Sequence, residues 1–226
     1  MAGRRILLTG IGGSVGTGAL AALRAQGDEV IGLSHLPGPD AAQVADFTDD
    51  DALAAAVAAV SGPLDGIVLS HGILEPGPIG RVPPARWRHM MDVNLNSLYA
   101  IIHAALPLLR DGASIVAVSS TAAFDHSPVG GPHYTACKWA MNGMVRHLAF
   151  DLGPRRIRIN AICPGLVEGP MGRALLTPEQ YDAALLDIPL GRAATAAEVA
   201  DLVMFLLGPA SSYITGALVP ISGGYR

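Results

Sequence analysis

Lysine is almost missing from this chain. Lysine and arginine together number 15 among 226 residues, and Lys138 is the single lysine. Aspartate and glutamate number 19, so the formal net charge is -4, and the longest basic cluster is Arg155-Arg156 with Arg158. Nucleic acids and anionic membranes bind surfaces that are dense in lysine and arginine. The composition therefore argues against a nucleic acid or a membrane as a partner.

Cysteine and long apolar runs are also scarce. Cys137 and Cys163 offer neither a disulfide framework nor the spacing of metal ligands, so we expect a reducing, cytoplasmic setting and no metal. The first ten residues hold one apolar run, Ile6-Leu7-Leu8, which is too short for a signal peptide. The longest apolar stretch, Ala52 to Val60, is too short to span a bilayer. With 50% hydrophobic and 15% charged residues, the chain is expected to form one soluble domain with a full core.

Short apolar runs alternate with helical patterns along the chain. The predicted strands are 5–8, 29–33, 44–47, 65–69, 113–118, 156–162 and 217–221. The main predicted helices are 15–27, 51–60, 84–110, 134–152 and 196–207. This alternation indicates an α/β fold with a mostly parallel sheet of about seven strands and helices on both faces. The helix at 84–110 carries too many apolar residues for one buried stripe, which favours a homo-oligomer.

A glycine-rich segment follows the first strand and opens the first helix. It reads Thr9-Gly10-Ile11-Gly12-Gly13-Ser14-Val15-Gly16. Backbone N–H groups at a helix start face a pyrophosphate, and glycines let it approach closely, so this segment predicts a dinucleotide site. A register shifted to Gly12–Gly18 would shorten the helix by about half a turn, and we therefore keep the first register.

The end of the second strand bears on which dinucleotide is bound. An acidic residue that holds the ribose is expected there, about 20 residues after the loop, but Ser34 and His35 occupy the place. A carboxylate would repel a 2′-phosphate, whereas a hydroxyl and an imidazole tolerate one. No arginine stands nearby to bind that phosphate, so the sequence favours NADP(H) only slightly over NAD(H). Asp46, beside Phe47, either contacts the adenine amino group or begins the acidic turn at 49–51.

Tyr134 and Lys138 stand four residues apart, so on a helix their side chains lie on one face, one turn apart. Bringing a phenol pKa from about 10 to about 7 takes roughly 4 kcal/mol. An ammonium about 4 Å away, at an effective dielectric of about 20, supplies an energy of that order. We therefore expect Lys138 to lower the pKa of Tyr134 and the pair to exchange protons near neutral pH. A solvated helix pair is the alternative, but the involvement of the chain's single lysine favours catalysis.

Polar residues also follow two buried strands, where ligands of open α/β sheets bind. Ser70-His71-Gly72 closes the fourth strand, and Ser119-Ser120-Thr121 closes the fifth. Asn94 lies amid apolar residues and is either a satisfied buried amide or a placed hydrogen-bonding group. The weakly periodic segment from 166 to 189 is a predicted mobile lid. This segment carries the apolar residues Leu175, Leu176, Tyr181, Leu185 and Leu186. They suggest that the body of the substrate is apolar.

Together these motifs resemble the classical short-chain dehydrogenase/reductase family, and the resemblance extends from Ile6 to Gly224. The loop at 9–16 corresponds to the family's T-G-x-x-x-G-x-G motif, with Ser14 where the middle glycine stands. Leu69-Ser70-His71-Gly72 occupies the place of the family's N-N-A-G turn. The segment from Pro164 to Met171 corresponds to a Pro-Gly motif that continues to a threonine, and Gly169 stands in the threonine's place.

The resemblance implies a single Rossmann-type doubly wound domain over 1–226, with a substrate lid at about 171–188. It implies an NAD(P)-dependent oxidoreductase that interconverts a secondary alcohol and a ketone, assembled as a tetramer or dimer. In this scheme Tyr134 exchanges the proton with the substrate oxygen, and Ser120, or alternatively Thr121, hydrogen-bonds that oxygen.

The same resemblance implies the remaining roles. Lys138 holds the ribose hydroxyls, and Asn94 anchors a water for proton relay. The implied cofactor-binding residues are Gly10, Gly12, Ser14, Val15, Gly16, Ser34, His35, Asp46, Phe47, Ser70, His71, Gly72, Tyr134, Lys138, Pro164, Gly165 and Val167. A non-catalytic dinucleotide sensor or scaffold is the alternative function. The complete proton-relay set argues against it, because a protein that only binds the cofactor needs no such set.

Overall fold

The computed structural model describes residues 3–225 and alternates strands with helices. The strands are β1 (Arg5–Thr9), β2 (Glu29–Ser34), β3 (Gln43–Val44), β4 (Leu64–Leu69), β5 (Leu109–Val118), β6 (Arg158–Pro164) and β7 (Leu218–Ile221). The α-helices are α1 (Ser14–Ala25), α2 (Asp50–Ala58), α3 (Pro84–Met91), α4 (Ser97–Ala105), α5 (Pro132–Leu152), α6 (Pro170–Leu175), α7 (Pro178–Leu186) and α8 (Ala196–Leu207). Within residues 3–225, every helix is too short or too polar to cross a membrane.

The seven strands form one parallel sheet in the order β3-β2-β1-β4-β5-β6-β7. The chain builds outward from β1 to β3 and then returns to add β4 on the other side of β1. The strand order therefore reverses between β1 and β4, and ligands of such sheets bind beside the carboxyl ends at this reversal. The predicted single α/β domain with a doubly wound sheet of about seven strands is confirmed.

Helices cover both faces of the sheet, which is why its strands are continuous apolar runs. Ile6 and Leu8 of β1 belong to an apolar cluster with α1 and α8. Leu7, between them, points to the opposite face and joins a cluster with α2, α4 and α5. All three side chains are fully buried. The central strands are thereby fixed between two apolar layers, and their carboxyl ends form a rigid edge.

The segment predicted as one helix from 84 to 110 is divided in the structure. A wide π-helical turn at Asp92–Asn96 separates α3 from α4, and α4 ends at Ala105. Leu109 and Arg110 already belong to β5, where Leu109 pairs with Leu64 of β4. The helical prediction failed at this end because an apolar residue that begins a buried strand extends the helical pattern.

Other element boundaries differ less. β3 is shorter than the predicted 44–47, and β7 begins one residue later than predicted. β6 starts at Arg158 rather than at 156, because Arg156 takes a left-handed conformation with φ 56° and ends the preceding turn. The ends of α5 at Leu152 and both ends of α8 are as predicted. The segment predicted as a lid contains the two short helices α6 and α7.

Candidate active site

The glycine loop between β1 and α1 forms a cradle at the strand reversal. Gly10 has φ +67°, and a Cβ built on it would lie 2.5 Å from the backbone of the turn after β4. A Cβ on Gly16 would lie 2.0 Å from the Gly10 carbonyl oxygen, whereas one on Gly12 would meet open space. α1 begins at Ser14 with no acidic residue in its first turn, so its N–H groups and positive dipole end are available to an anion. The cradle fits a dinucleotide pyrophosphate, and this helix start agrees with the first register of the motif.

A cavity of about 540 Å³ opens beside this cradle, a volume typical of small-molecule sites. It is formed at the carboxyl ends of β4, β5 and β6 and by the first turn of α1. The predicted site residues that line it are Ser14, Val15, Ser70, His71, Gly72, Ser120, Thr121, Tyr134, Lys138, Pro164, Gly165 and Val167. The structure therefore brings together segments that lie far apart in the sequence.

Ser34, His35 and Asp46 lie outside this cavity, at or just beyond the carboxyl ends of β2 and β3. The Ser34 hydroxyl accepts a hydrogen bond from the N–H of Leu36 at 3.2 Å. The Asp46 carboxylate accepts hydrogen bonds from the N–H and the hydroxyl of Thr48, both at 2.8 Å. The backbone hydrogen bond is the main cause of a lowered Asp46 pKa. Through Oδ1, which accepts both hydrogen bonds, Asp46 stabilises the turn that leads into α2.

His71 links β1, β4 and the π-helical turn through buried hydrogen bonds. Its Nδ1 lies 2.6 Å from the Thr9 hydroxyl, and its Nε2 lies 2.8 Å from the Ser97 hydroxyl. Because Ser97 donates its proton to a main-chain carbonyl of the π-helical turn, it accepts from Nε2–H, and Thr9 donates to Nδ1. Burial, together with the Lys138 charge, lowers the pKa of His71 from 6.5 to about 3. The ring is therefore neutral, and Phe47 packs on it with 4.3 Å between ring centroids.

Asn94 is fully buried in the π-helical turn, and its amide binds the backbone of Ile73. Nδ2 donates to the Ile73 carbonyl and Oδ1 accepts from the Ile73 N–H, both at 2.7 Å. Nδ2 also lies 2.9 Å from the Met90 sulfur. Asn94 is thus a satisfied buried amide, one of the two alternatives from the sequence. Its side chain fixes the loop that forms one wall of the cavity.

Tyr134 and Lys138 lie one turn apart at the start of α5 and both line the cavity. The Lys138 Nζ is 5.7 Å from the centroid of the Tyr134 ring and donates to the Val118 carbonyl at 2.9 Å. Ser120, at the end of β5, hydrogen-bonds to Tyr134 and accepts from the N–H of Ala122 at 3.1 Å. The predicted serine, tyrosine and lysine therefore meet on one wall.

The predicted lowering of the Tyr134 pKa is wrong for this structure. Burial raises the pKa of Tyr134 from 10 to about 12, although the hydrogen bond from Ser120 offsets part of the rise. Burial also lowers the pKa of Lys138, whose Nζ binds the Val118 carbonyl. Burial removes the hydration of the phenolate, and this loss is the main cause of the raised pKa of Tyr134. Tyr134 is therefore protonated at neutral pH, which is the form of a proton donor.

The cavity also contains residues outside the predicted set of catalytic and cofactor-binding residues. These are Gly13, Ile73, Leu74, Ser119, Ala122, Ser127, Pro128, Val129, Leu166 and Tyr225, besides Val118. Gly13 stands inside the glycine motif and could have been chosen from it. Ile73 and Leu74 directly follow the predicted turn after β4. Tyr225 carries no sequence signal, because the chain brings it to the cavity only through the fold.

The predicted lid forms part of the cavity wall, but only some of the residues expected there line it. Leu175 and Leu176 line the cavity as predicted, whereas Tyr181, Leu185 and Leu186 do not. The other lid residues in the wall are Gln180, Ala183, Ala184, Asp187 and Ile188. Most of these follow the three-to-four-residue spacing of one face of α7, so periodicity predicts the wall better than side-chain hydrophobicity does.

Comparisons with known proteins agree with this geometry. Residues 3–226 match the protein family described as Enoyl-(Acyl carrier protein) reductase. L-xylulose reductase from Bos taurus is 34% identical over 239 residues, which cover 100% of this chain and 97% of that protein. A 3-oxoacyl-[acyl-carrier protein] reductase with bound NAD from Brucella melitensis is 30% identical, with a TM-score of 0.89 and coverage of 100% and 92%. A blue fluorescent protein from a metagenomic library, solved with NADPH, is 27% identical, with a TM-score of 0.92 and coverage of 100% and 98%.

The parallel sheet, the glycine cradle and the Ser–Tyr–Lys wall define an NAD(P)-dependent oxidoreductase. The chain belongs to the short-chain dehydrogenase/reductase family. Like its relatives, which are named dehydrogenases and reductases, it is an enzyme that interconverts alcohol and carbonyl groups. The predicted family and activity are confirmed, and the comparisons lend no support to a non-catalytic sensor or scaffold.

We expect the buried, neutral His71 to make the protein less stable in acid. Its pKa is about 3 in the folded protein and about 6.5 in the unfolded chain, so the unfolded chain takes up the proton first. The free energy of unfolding therefore falls as the pH drops from about 6.5 towards 3, by up to about 1.4 kcal/mol per pH unit. Urea unfolding of His71→Asn at several pH values between about 4.5 and 6.5 should show a shallower slope. His147→Asn, at an exposed site, is the control, and equal slopes in wild type and His71→Asn would contradict the assignment.

Proposed function

We propose that this enzyme interconverts a secondary alcohol and a ketone of mainly apolar body, with Tyr134 as the acid and base. The observation that carries the proposal is the convergence of Ser120, Tyr134 and Lys138 on one wall of a cavity beside the glycine cradle. The nicotinamide, when bound, supplies or accepts the hydride. The protein's part is to position the substrate oxygen, exclude water and move one proton.

Tyr134 donates its proton to the substrate oxygen in the reducing direction. Its raised pKa keeps that proton in place until the oxygen gains negative charge, because the buried phenolate is unfavourable. Ser120 hydrogen-bonds both to Tyr134 and to the substrate oxygen, and Thr121 is the alternative residue for the second contact. The Lys138 ammonium has three N–H donors, of which one is engaged by Val118, so two remain for the ribose hydroxyls.

Asn94 acts in this scheme through its position in the chain. Its side-chain amide is engaged by the backbone of Ile73, so a water for proton relay is held by main-chain groups of the π-helical turn. Single π-helical turns within helices frequently occur at functional sites. The side chain then serves to hold the turn and the loop after β4 in place.

The remaining cofactor contacts follow the carboxyl edge of the sheet. The cradle residues would hold the diphosphate: these are Gly10, Gly12, Ser14, Val15 and Gly16. The nicotinamide half would be held by Ser70, His71, Gly72, Pro164, Gly165 and Val167. The adenosine half would be held by Ser34, His35, Asp46 and Phe47. Because the Phe47 ring is buried against His71, Phe47 contributes its main chain.

NADP(H) is the proposed preferred cofactor over NAD(H), by a small margin. A hydroxyl at Ser34 and an imidazole at His35 tolerate a 2′-phosphate, whereas a carboxylate at either position would repel it. The structural relatives include one solved with NAD and one solved with NADPH. The preference in this chain therefore depends on its own residues at the end of β2.

The cavity wall favours a neutral substrate with an apolar body. Leu74, Val129, Leu175, Leu176 and Ile188 supply apolar surface to the cavity wall. Among the described lining residues, the charged groups are Lys138, which we assign to the ribose, and Asp187 on α7. An anionic substrate would meet a negative charge in the lid without a cation to pair with. We propose that α6 and α7, at about 171–188, close over this substrate as a lid.

We also propose that the enzyme is a homo-oligomer, a tetramer or dimer, in a reducing cytoplasmic setting. Tyr99 of α4 and Trp139 of α5 are each about half exposed, and Phe150 of α5 is 83% exposed. Burying large aromatic side chains is a major source of interface energy. Cys137 and Cys163 are buried free thiols, which suits a reducing compartment.

Tyr134→Phe should retain cofactor binding and lose turnover by at least about 100-fold, since it removes the general acid and keeps the ring. Turnover is measured by NAD(P)H absorbance with a panel of apolar ketones, and binding by quenching of Trp87 and Trp139 fluorescence. Tyr213→Phe, at a fully exposed tyrosine, is the matched control. Turnover near the wild-type rate in Tyr134→Phe would refute the assignment.

Ser34→Asp should shift the binding preference towards NAD(H) by weakening NADP(H). The new carboxylate would face the 2′-phosphate at a cost of about 1 to 3 kcal/mol where partly solvated, roughly a tenfold to hundredfold change in the ratio of Kd values. Fluorescence titration with NADH and NADPH at equal salt measures the ratio. Ser61→Asp, in the exposed loop after α2, controls for the added charge. A wild type that already binds NADH more tightly than NADPH would show that the proposed preference is wrong.

Light scattering at micromolar concentration should give a mass that is a multiple of the 23.2 kDa chain. Tyr99→Asp should reduce that mass, because a carboxylate would be buried in the interface without a partner. Ile79→Asp changes a residue that is 84% exposed, in a short 3₁₀ helix before α3, and should leave the mass unchanged. A wild-type particle of 23.2 kDa would refute the oligomer.

A further inference from the structure

Ser14 and Gly169 are in contact beside the cradle, although the two residues belong to different sequence motifs. A Cβ built on Gly169 would lie 1.8 Å from the Ser14 Oγ and 3.0 Å from the Ser14 Cβ. Gly169 also has φ +147°, a conformation that residues with a side chain rarely adopt. In this arrangement the side chain of Ser14 occupies the space that a side chain at 169 would need. Glycine at 169 therefore makes room for the hydroxyl at 14.

The Ser14 hydroxyl is placed to meet a ligand. Ser14 is the first residue of α1, and its side chain lines the cavity next to the open space at Gly12. Among the hydrogen bonds found within residues 3–225, none engages this hydroxyl, whereas Ser70 and Ser120 nearby are both hydrogen-bonded to the protein. A hydroxyl donor beside the first-turn N–H groups of a helix adds to their attraction for a phosphate oxygen.

We propose that Ser14 donates a hydrogen bond to the diphosphate of the dinucleotide and that Gly169 is the residue that permits this contact. The two residues thus form a coupled pair in cofactor recognition. This inference rests on the proposed placement of the diphosphate on the cradle. It goes further in assigning a donor to the Ser14 side chain and a specific reason for glycine at 169, just before α6 and the lid.

The first test removes the hydroxyl alone. Ser14→Ala keeps the Cβ and should weaken binding of NADH and NADPH by about tenfold each, the usual effect of losing a hydrogen bond to a charged group. The ratio of the two Kd values should stay unchanged, because both cofactors carry the same diphosphate. Ser61→Ala, at an exposed serine, is the control. Fluorescence titration of wild type, Ser14→Ala and Ser61→Ala with each dinucleotide measures these Kd values without any need for a substrate.

The second test examines the coupling by a double-mutant cycle of wild type, Ser14→Gly, Gly169→Ala and the double variant. Gly169→Ala alone should weaken binding strongly, because its Cβ would collide with the Ser14 Oγ. The double variant Ser14→Gly with Gly169→Ala should bind at least about threefold more tightly than Gly169→Ala alone, since the collision is removed. Its thermal unfolding midpoint should stay below wild type, because the strain of φ +147° at residue 169 remains.

The outcomes separate this inference from the proposed function. Wild-type affinity in Ser14→Ala would overturn the assigned donor and leave the cradle intact. Additive effects in the cycle would overturn the pairing of Ser14 with Gly169. Failure of the wild-type protein to bind either dinucleotide would instead refute the proposed cofactor site as a whole. If Gly169→Ala does not fold, the Ser14→Ala titration still decides whether the hydroxyl is a donor.

Discussion

The contact on which the site depends is the close approach of two backbones at the strand reversal. Gly10 touches the turn after β4 so closely that any side chain there would collide with it. This approach lets the Thr9 hydroxyl accept from the N–H of Ser70 at 3.1 Å and donate to the His71 ring. His71 then binds Ser97, next to the π-helical turn that holds Asn94. A network of buried hydrogen bonds thus runs from the glycine cradle to the wall of the cavity.

Loss of hydration on burial is the common cause of the shifted pKa values at this site. Burial keeps His71 neutral, raises the pKa of Tyr134 to about 12 and lowers the pKa of Lys138. Each change disfavours the charged form, as the low dielectric of a buried site requires. His71 is then a fixed neutral donor and acceptor, and the Tyr134 phenol keeps its proton at neutral pH.

The fold was predictable because its signals are local. Apolar runs followed by turns and helical patterns predict a parallel α/β sheet without knowledge of any contact, and the rule on strand ends places Ser120 at the site. What needed the structure was information that no single segment holds. The split of 84–110 depends on Leu109 pairing with Leu64. The pKa of Tyr134 depends on how deeply α5 is covered, and Tyr225 reaches the cavity only after the whole sheet is built.

Ser14 and Gly169 both depart from the family motifs, and the contact between them in the structure explains the two departures together. In the sequence they are separate. Ser14 replaces a glycine of the motif at 9–16, and Gly169 replaces a threonine of the motif at 164–171. In the structure they meet, since the Ser14 Oγ lies where a Cβ of residue 169 would stand. A backbone at φ +147° further ties residue 169 to glycine. The glycine at 169 thus makes room for the serine at 14, and the serine fills the space beside the glycine. The family motifs have a glycine and a threonine at these two positions, so in both cases one hydroxyl-bearing side chain is present.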